Sequence, residues 1–135
     1  MKLAPELHYL ALTAVLTALM WVPYMGARTL TRGAGRTLGD PANPSAPADP
    51  PWAQRARRAH ANAVENFAVF APLVIILAMI GVSTPMTVLA AQTYLGARVV
   101  HYVVYAAGLS VVRTLAFVVG VGATLVIAAA VLGHA

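Results

Sequence analysis

Four stretches of the chain, 7–27, 61–82, 86–107 and 111–132, are apolar over lengths near 20 residues. A hydrocarbon core of about 30 Å asks roughly that length of a helix. The pattern therefore predicts an all-α, integral membrane four-helix up-down bundle, a single membrane domain over residues 1–135. Ser83-Thr84-Pro85 and Gly108-Leu109-Ser110 are connections short enough to force antiparallel neighbours. The first connection, residues 28–54, is long and rich in Gly, Pro, Ala and Asp. Pro41, Pro44, Pro47 and Pro50 recur there at every third residue, which suits polyproline II. Such a segment fits a stiff cover over the helix ends or a Pro-rich ligand for a partner domain.

Composition strengthens the membrane reading. Apolar residues make up 60% of the chain and charged ones 10%, against about 25% charged in soluble domains, and the mean hydropathy is +0.76. Membrane lipids are thus the expected surroundings. There is no cysteine, which excludes a disulfide framework, a thiolate metal site and a protein thiol nucleophile. Any thiol chemistry must come from a ligand.

Charge sets an expected orientation. Arg28, Arg32, Arg36, Arg55, Arg57 and Arg58 face only Asp40 and Asp49 in the first connection, so that loop and the turn near Arg113 are expected on the cytoplasmic side, with both termini outside. Lys2 is the only basic residue before the first helix, a bias opposite to that of a cleaved signal peptide. The net charge of +5 then reads first as topology, above all for Arg32, Arg36, Arg55 and Arg57, and a nucleic-acid partner is not expected. No Gly-rich phosphate loop is present, and no His, Asp and Glu have the spacing of a metal site.

Some polar residues sit where lipid should exclude them. Arg55, Arg58, Asn62 and Glu65 lie at i, i+3, i+7 and i+10, one face of a helix start that runs without a break into sixteen uncharged residues, Phe67 to Val82. Tyr94, Arg98, His101 and Tyr105 form a second face at i, i+4, i+7 and i+11. Arg98 lies roughly 13–15 Å from the helix end at Ala107, too deep for easy snorkelling, and an unpaired charge there costs ~2.5–3.5 kcal/mol. A Glu65–Arg98 clamp is one solution. Arg58, Arg113, Asn62, His101 and the tyrosine hydroxyls nevertheless offer more donors than one carboxylate accepts, which points to a bound anion with several oxygens. His60, beside the arginines, reads as a helix-start residue. Ala116, Gly120, Thr124 and Ala128 recur every fourth residue and allow close helix approach, within one chain or between chains.

Two segments resemble signatures of the MAPEG family, membrane-associated proteins in eicosanoid and glutathione metabolism. They are Arg55-x-x-Arg58-Ala-His60-x-Asn62-x-x-Glu65-Asn66 and Ala97-Arg98-x-x-His101-x-x-x-Tyr105-x-x-Gly108, followed by an arginine at the start of the last helix. The chain is similar to the small bacterial-type members, and that resemblance implies a bacterial inner membrane. The resemblance implies a homotrimer with glutathione as co-substrate, and no metal, in a cytoplasm-facing cleft between subunits. It implies that Arg58, Asn62 and Glu65 hold glutathione, with Arg98, His101 and Tyr105 contributed by the adjacent subunit. Arg28 is a further candidate contact. Arg113 matches the arginine near the glutathione sulfur in catalytic members, and Ser110 is a further candidate donor. The charges agree, because glutathione carries two carboxylates and one ammonium group.

The activity implied is that of a glutathione transferase or peroxidase acting on lipophilic electrophiles that enter from lipid. A non-enzymatic structural or accessory protein of the same fold, still binding glutathione, is the alternative. A small multidrug-type transporter also has four short helices, but it needs a carboxylate deep in a helix, and none lies between His8 and Ala27.

Overall fold

The structure, a computed structural model, describes residues 2–40 and 42–134. Pro41, one of the regularly spaced prolines, lies outside the described residues. Among those described the chain is all-helical: α1 (Pro5–Leu19), α2 (Trp21–Arg32), α3 (Ala34–Gly39), α4 (Pro51–Met79), α5 (Pro85–Ala107) and α6 (Ser110–His134). Three lengths are long and apolar enough to cross a membrane: Pro5–Arg32, which joins α1 and α2, Pro51–Met79, and Ser110–His134. α5 is more polar, with Gln92, Arg98 and His101 along its 23 residues, and at a 1.5 Å rise it is about 35 Å long. It packs against α1, α4 and α6, so protein surrounds much of its polar content.

Local chemistry explains the helix ends. Proline stands at the first helical position of α1, α4 and α5, where its missing N–H removes a donor that would have no partner. Thr84 caps α5 reciprocally: its Oγ1 accepts from the Thr87 N–H at 3.1 Å, and Thr87 Oγ1 accepts from the Thr84 N–H at 2.8 Å. Gly108 closes α5 in the left-handed region at φ 83°, where a side chain would be strained. The break between α1 and α2 at Met20 follows from Pro23, which has no N–H for the carbonyl four residues earlier. The Tyr102 hydroxyl donates to the Met20 carbonyl at 2.7 Å and ties the break to α5.

The expected loop over residues 28–54 needs correction. Its first residues complete α2, Ala34–Gly39 form α3, and α4 starts at Pro51, because proline is well placed in a first turn. The Pro-rich stretch is not a continuous polyproline helix either. The Asn43 N–H donates to the Asp40 carbonyl and the Ala46 N–H to the Asn43 carbonyl, while Asn43 Oδ1 accepts from the Ser45 N–H at 2.9 Å, an Asx turn.

The core gathers Leu10 of α1, Phe70, Val74 and Leu77 of α4, Ala90, Ala91 and Tyr94 of α5, and Ala123, Ile127 and Val131 of α6. The Phe70 and Tyr94 rings stack at 3.7 Å and 3°. Many large apolar side chains point outward instead, among them Val69, Ile75, Leu89, Val103, Leu115, Val118 and Leu125, as a lipid-facing surface requires. Of the small residues recurring along α6, Ala116 and Gly120 are buried, and Gly120 faces Ala97 and Arg98 of α5, so that part of the stripe serves packing within the chain.

The two ends of the molecule differ chemically. At one end Glu6, 2% exposed, accepts from Ser83 Oγ at 2.9 Å and Thr87 Oγ1 at 2.5 Å, fastening α1 to the start of α5. At the other end Arg55 Nε donates to the Ala106 carbonyl at 2.9 Å, which holds the basic start of α4 against the last turn of α5.

Candidate functional site

Helix periodicity brings most of the candidate residues to the end of the molecule where α4 starts and α5 stops. His101 and Tyr105 are one turn apart on α5, and their rings meet edge to face at 5.5 Å. Arg113, in the first turn of α6, crosses the tight turn at Gly108 and lays its guanidinium 4.5 Å over the Tyr105 ring, a cation–π contact. With Asn62 of α4, these three line a cleft of about 310 Å³ that Thr114 and Phe117 of α6 complete. The cleft is thus walled by three helices of one chain. It offers one fixed cation, a phenol, an imidazole, a carboxamide and a hydroxyl.

Arg98 does not line this cleft. It is 2% exposed and lies behind Asn62, where its Nη1 donates to Asn62 Oδ1 at 3.1 Å, and its Nε has no partner. The possible Glu65–Arg98 clamp is absent: Glu65 is exposed and makes no ion pair or hydrogen bond among the described residues. The reason is angular, since Asn62 and Glu65 are three residues apart and only Asn62 is turned toward α5. Glu65 instead continues the outward face of α4 that carries Arg58.

Arg58 lines a neighbouring cleft of about 370 Å³ with Asp49, Gln54, Arg57 and Ala61. Arg28 is engaged at its border. Its Nε donates to the two Asp49 carboxylate oxygens at 3.1 and 3.2 Å, and its Nη2 donates at 2.6 Å, with both side chains 11% exposed. Arg32 Nε donates to the Pro47 carbonyl at 2.7 Å, and Gln54 Nε2 to the Asp49 carbonyl at 2.8 Å. The Pro-rich segment is therefore strapped to α2 and to the first turn of α4. The hydrogen bond from Arg28, reinforced by the charges of Arg28, Arg32 and Arg57, holds the Asp49 carboxyl below the usual carboxylate range against the opposing effect of burial.

Ser110 opens α6 and lines a second cleft with Val111, Thr114 and Leu115, which adjoins the first at Thr114, the residue common to both. His60 joins α4 to α2 through a 2.8 Å contact between its Nδ1 and the Tyr24 hydroxyl. Among the described residues no cluster of His, Asp and Glu has the makings of a metal site.

Thr114, Phe117 and Asp49 are the residues that the sequence reading passes over. Thr114 adjoins Arg113, and Phe117 follows it by one turn, so an i, i+4 extension from Arg113 reaches that face. Asp49 carries a signal only in hindsight: it is one of two acids between the first two apolar stretches, a span that holds six arginines.

No curated protein and no solved structure gives a significant match. The profile of the MAPEG family, which includes glutathione-dependent transferases and peroxidases, covers residues 7–133. With membrane-length apolar helices and both signature segments in place, the chain belongs to the MAPEG family.

Proposed function

We propose that the chain is a glutathione-dependent membrane transferase or peroxidase acting on lipophilic electrophiles. The observation that carries this reading is the cleft of Asn62, His101, Tyr105 and Arg113, with the arginine stacked on the phenol in a fixed position. Four crossing helices are proposed, α5 being the fourth, shielded by its neighbours. The basic ends of α2 and α4 and the start of α6 face the cytoplasm, in a bacterial inner membrane.

Glutathione lies with its thiol in the cleft beside Arg113, and its carboxylates run toward the arginines at the start of α4. A cation beside a thiol favours the thiolate and lowers its pKa from about 8.5 toward neutrality. The thiolate attacks an electrophilic carbon, forming a C–S bond while the leaving group departs with its electron pair. With a hydroperoxide it attacks the outer oxygen instead. The O–O bond breaks, the departing alkoxide takes up the proton of the transferred oxygen to become the alcohol, and the thiol of a second glutathione attacks the sulfenate sulfur, forming the disulfide and releasing hydroxide. Arg113 holds the thiolate, while Tyr105 and Thr114 offer hydroxyl donors beside it.

Glu65 supports a homotrimer, since it projects from α4 on an exposed face and has no ion pair or hydrogen bond among the described residues, while Arg58, one face along, lines the cleft with Asp49. A neighbouring copy gives Glu65 a polar setting that lipid does not. Ser110 remains a candidate donor for a ligand that reaches past Thr114, which borders both clefts.

The test is turnover of purified protein in nanodiscs with glutathione and a chromogenic aryl halide or a lipid hydroperoxide. The expected result is activity that falls at least 100-fold in Arg113→Ala with glutathione binding retained. Glutathione binding measured by calorimetry, with no turnover on either substrate class, would favour the non-enzymatic accessory role.

A further inference from the structure

Arg98 is buried, charged and not matched by any carboxylate among the described residues. Its one short polar contact is Asn62 Oδ1, at 3.1 Å from Nη1. A guanidinium has no acceptor, so the carboxamide atom facing it must be the oxygen. Asn66 Nδ2, also a donor, approaches the same oxygen at 3.3 Å while donating to the Asn62 carbonyl at 2.8 Å. Two donors thus hold the oxygen on the inner side. The Asn62 amino group is turned the other way, and Asn62 lines the cleft shared with His101, Tyr105 and Arg113.

From this geometry we infer that Arg98 is a positioning residue: it does not touch the ligand but fixes the Asn62 carboxamide so that its N–H bonds face the cleft as donors to a ligand carbonyl or carboxylate. The inference rests on the glutathione reading for the ligand's identity, though not for the orientation of Asn62. Gly120 is part of the device, because a Cβ there would stand 3.8 Å from both Nε and Nη2 of Arg98, so a larger side chain would compete for the guanidinium's space. Arg98 also sits over the Tyr94 ring at 5.8 Å, which gives its charge a neighbour that does not neutralise it.

Two measurements on full-length protein in nanodiscs test this. The first is a double-mutant cycle on the glutathione Kd, read by calorimetry, with Arg98→Met, Asn62→Ala and the double variant. If Arg98 acts through Asn62, each single change weakens binding about tenfold, the double is no worse than either, and Arg98→Lys, which keeps the charge and a donor, restores most of the affinity. An unchanged Kd in Arg98→Met, or single losses that multiply to about a hundredfold in the double, overturns the inference.

The second measurement needs no ligand. The chain has three asparagines, Asn43, Asn62 and Asn66, so selective 15N-asparagine labelling leaves few side-chain amide signals to assign. The Asn62 amide pair is expected to shift in Arg98→Met and return in Arg98→Lys; a pair unmoved by Arg98→Met overturns the inference. Wild-type protein that binds no glutathione would refute the glutathione reading, and the amide signals would then decide the positioning role alone. A fold too weak to purify in Arg98→Met is replaced by Arg98→Gln, whose shorter side chain leaves its amide short of the Asn62 oxygen. The Asn62 signals are expected to shift in that variant too, and signals that stay at their wild-type positions overturn the inference.

Discussion

Replacing Asp49 by Asn tests how far its carboxylate, paired with Arg28 and at 3.9 Å with Arg32, holds the Pro-rich segment against α2. The carboxylate accepts from Arg28 at 2.6, 3.1 and 3.2 Å, and both side chains are 11% exposed. Hydrogen bonds to a charged partner contribute ~1.5–3 kcal/mol each, but freed groups at this surface rehydrate and Asn keeps one acceptor, so a net loss of about 1.5–2 kcal/mol is expected. That converts to roughly 10–30-fold faster local opening. Backbone hydrogen exchange of residues 42–54, corrected for intrinsic rates, reads it directly. The pH dependence has a definite sign: Asp49 is held below its ordinary value in the folded protein, so its contribution is fully present above the usual carboxylate range and disappears as pH falls through the lowered value. Wild-type exchange should therefore remain slow at pH 5 and rise only in stronger acid, while Asp49→Asn is fast and flat across that range. Equal protection of the two proteins at pH 7 would refute the reasoning. Should Arg28 contact the ligand, the same variant binds glutathione more tightly, because the internal carboxylate no longer competes.

Further changes probe the rest of the frame. Glu6→Ala leaves the Ser83 and Thr87 hydroxyls without their buried acceptor and is expected to cost about 2–4 kcal/mol in thermal unfolding, with Glu6→Gln losing less than half as much. Tyr94→Phe removes a buried hydroxyl that has no hydrogen-bond partner; its Tm should stay level or rise, and a loss above about 1 kcal/mol would show that the hydroxyl is satisfied in solution. Gly120→Ala should be tolerated at the 3.8 Å contacts its Cβ would make. Gly120→Leu should cost ~1–3 kcal/mol by overpacking and weaken glutathione binding by displacing Arg98.

The presence of long apolar helices, the polar faces on two of them and the family itself were legible in the amino-acid order. The helices and their faces rest on local periodicity: a run near 20 residues must be a helix in lipid, and spacings of three, four and seven put side chains on one face whatever surrounds them. The family rests on the resemblance of two signature segments, borne out by the profile match over residues 7–133. Partner choice is a different matter. Arg28 and Arg113 both read as ligand arginines, yet the fold gives Arg28 to Asp49, 21 residues on, while Arg113 lies on Tyr105 beside an open cleft. Asn62 and Glu65 stand three residues apart on one predicted face, and only the packing of α4 on α5 turns the first toward Arg98 and leaves the second outward. A sequence pattern fixes which direction a side chain takes from its own helix axis. What waits there depends on how helices distant in sequence are rotated against one another, and here that rotation decided which polar groups pair internally and which line the cleft.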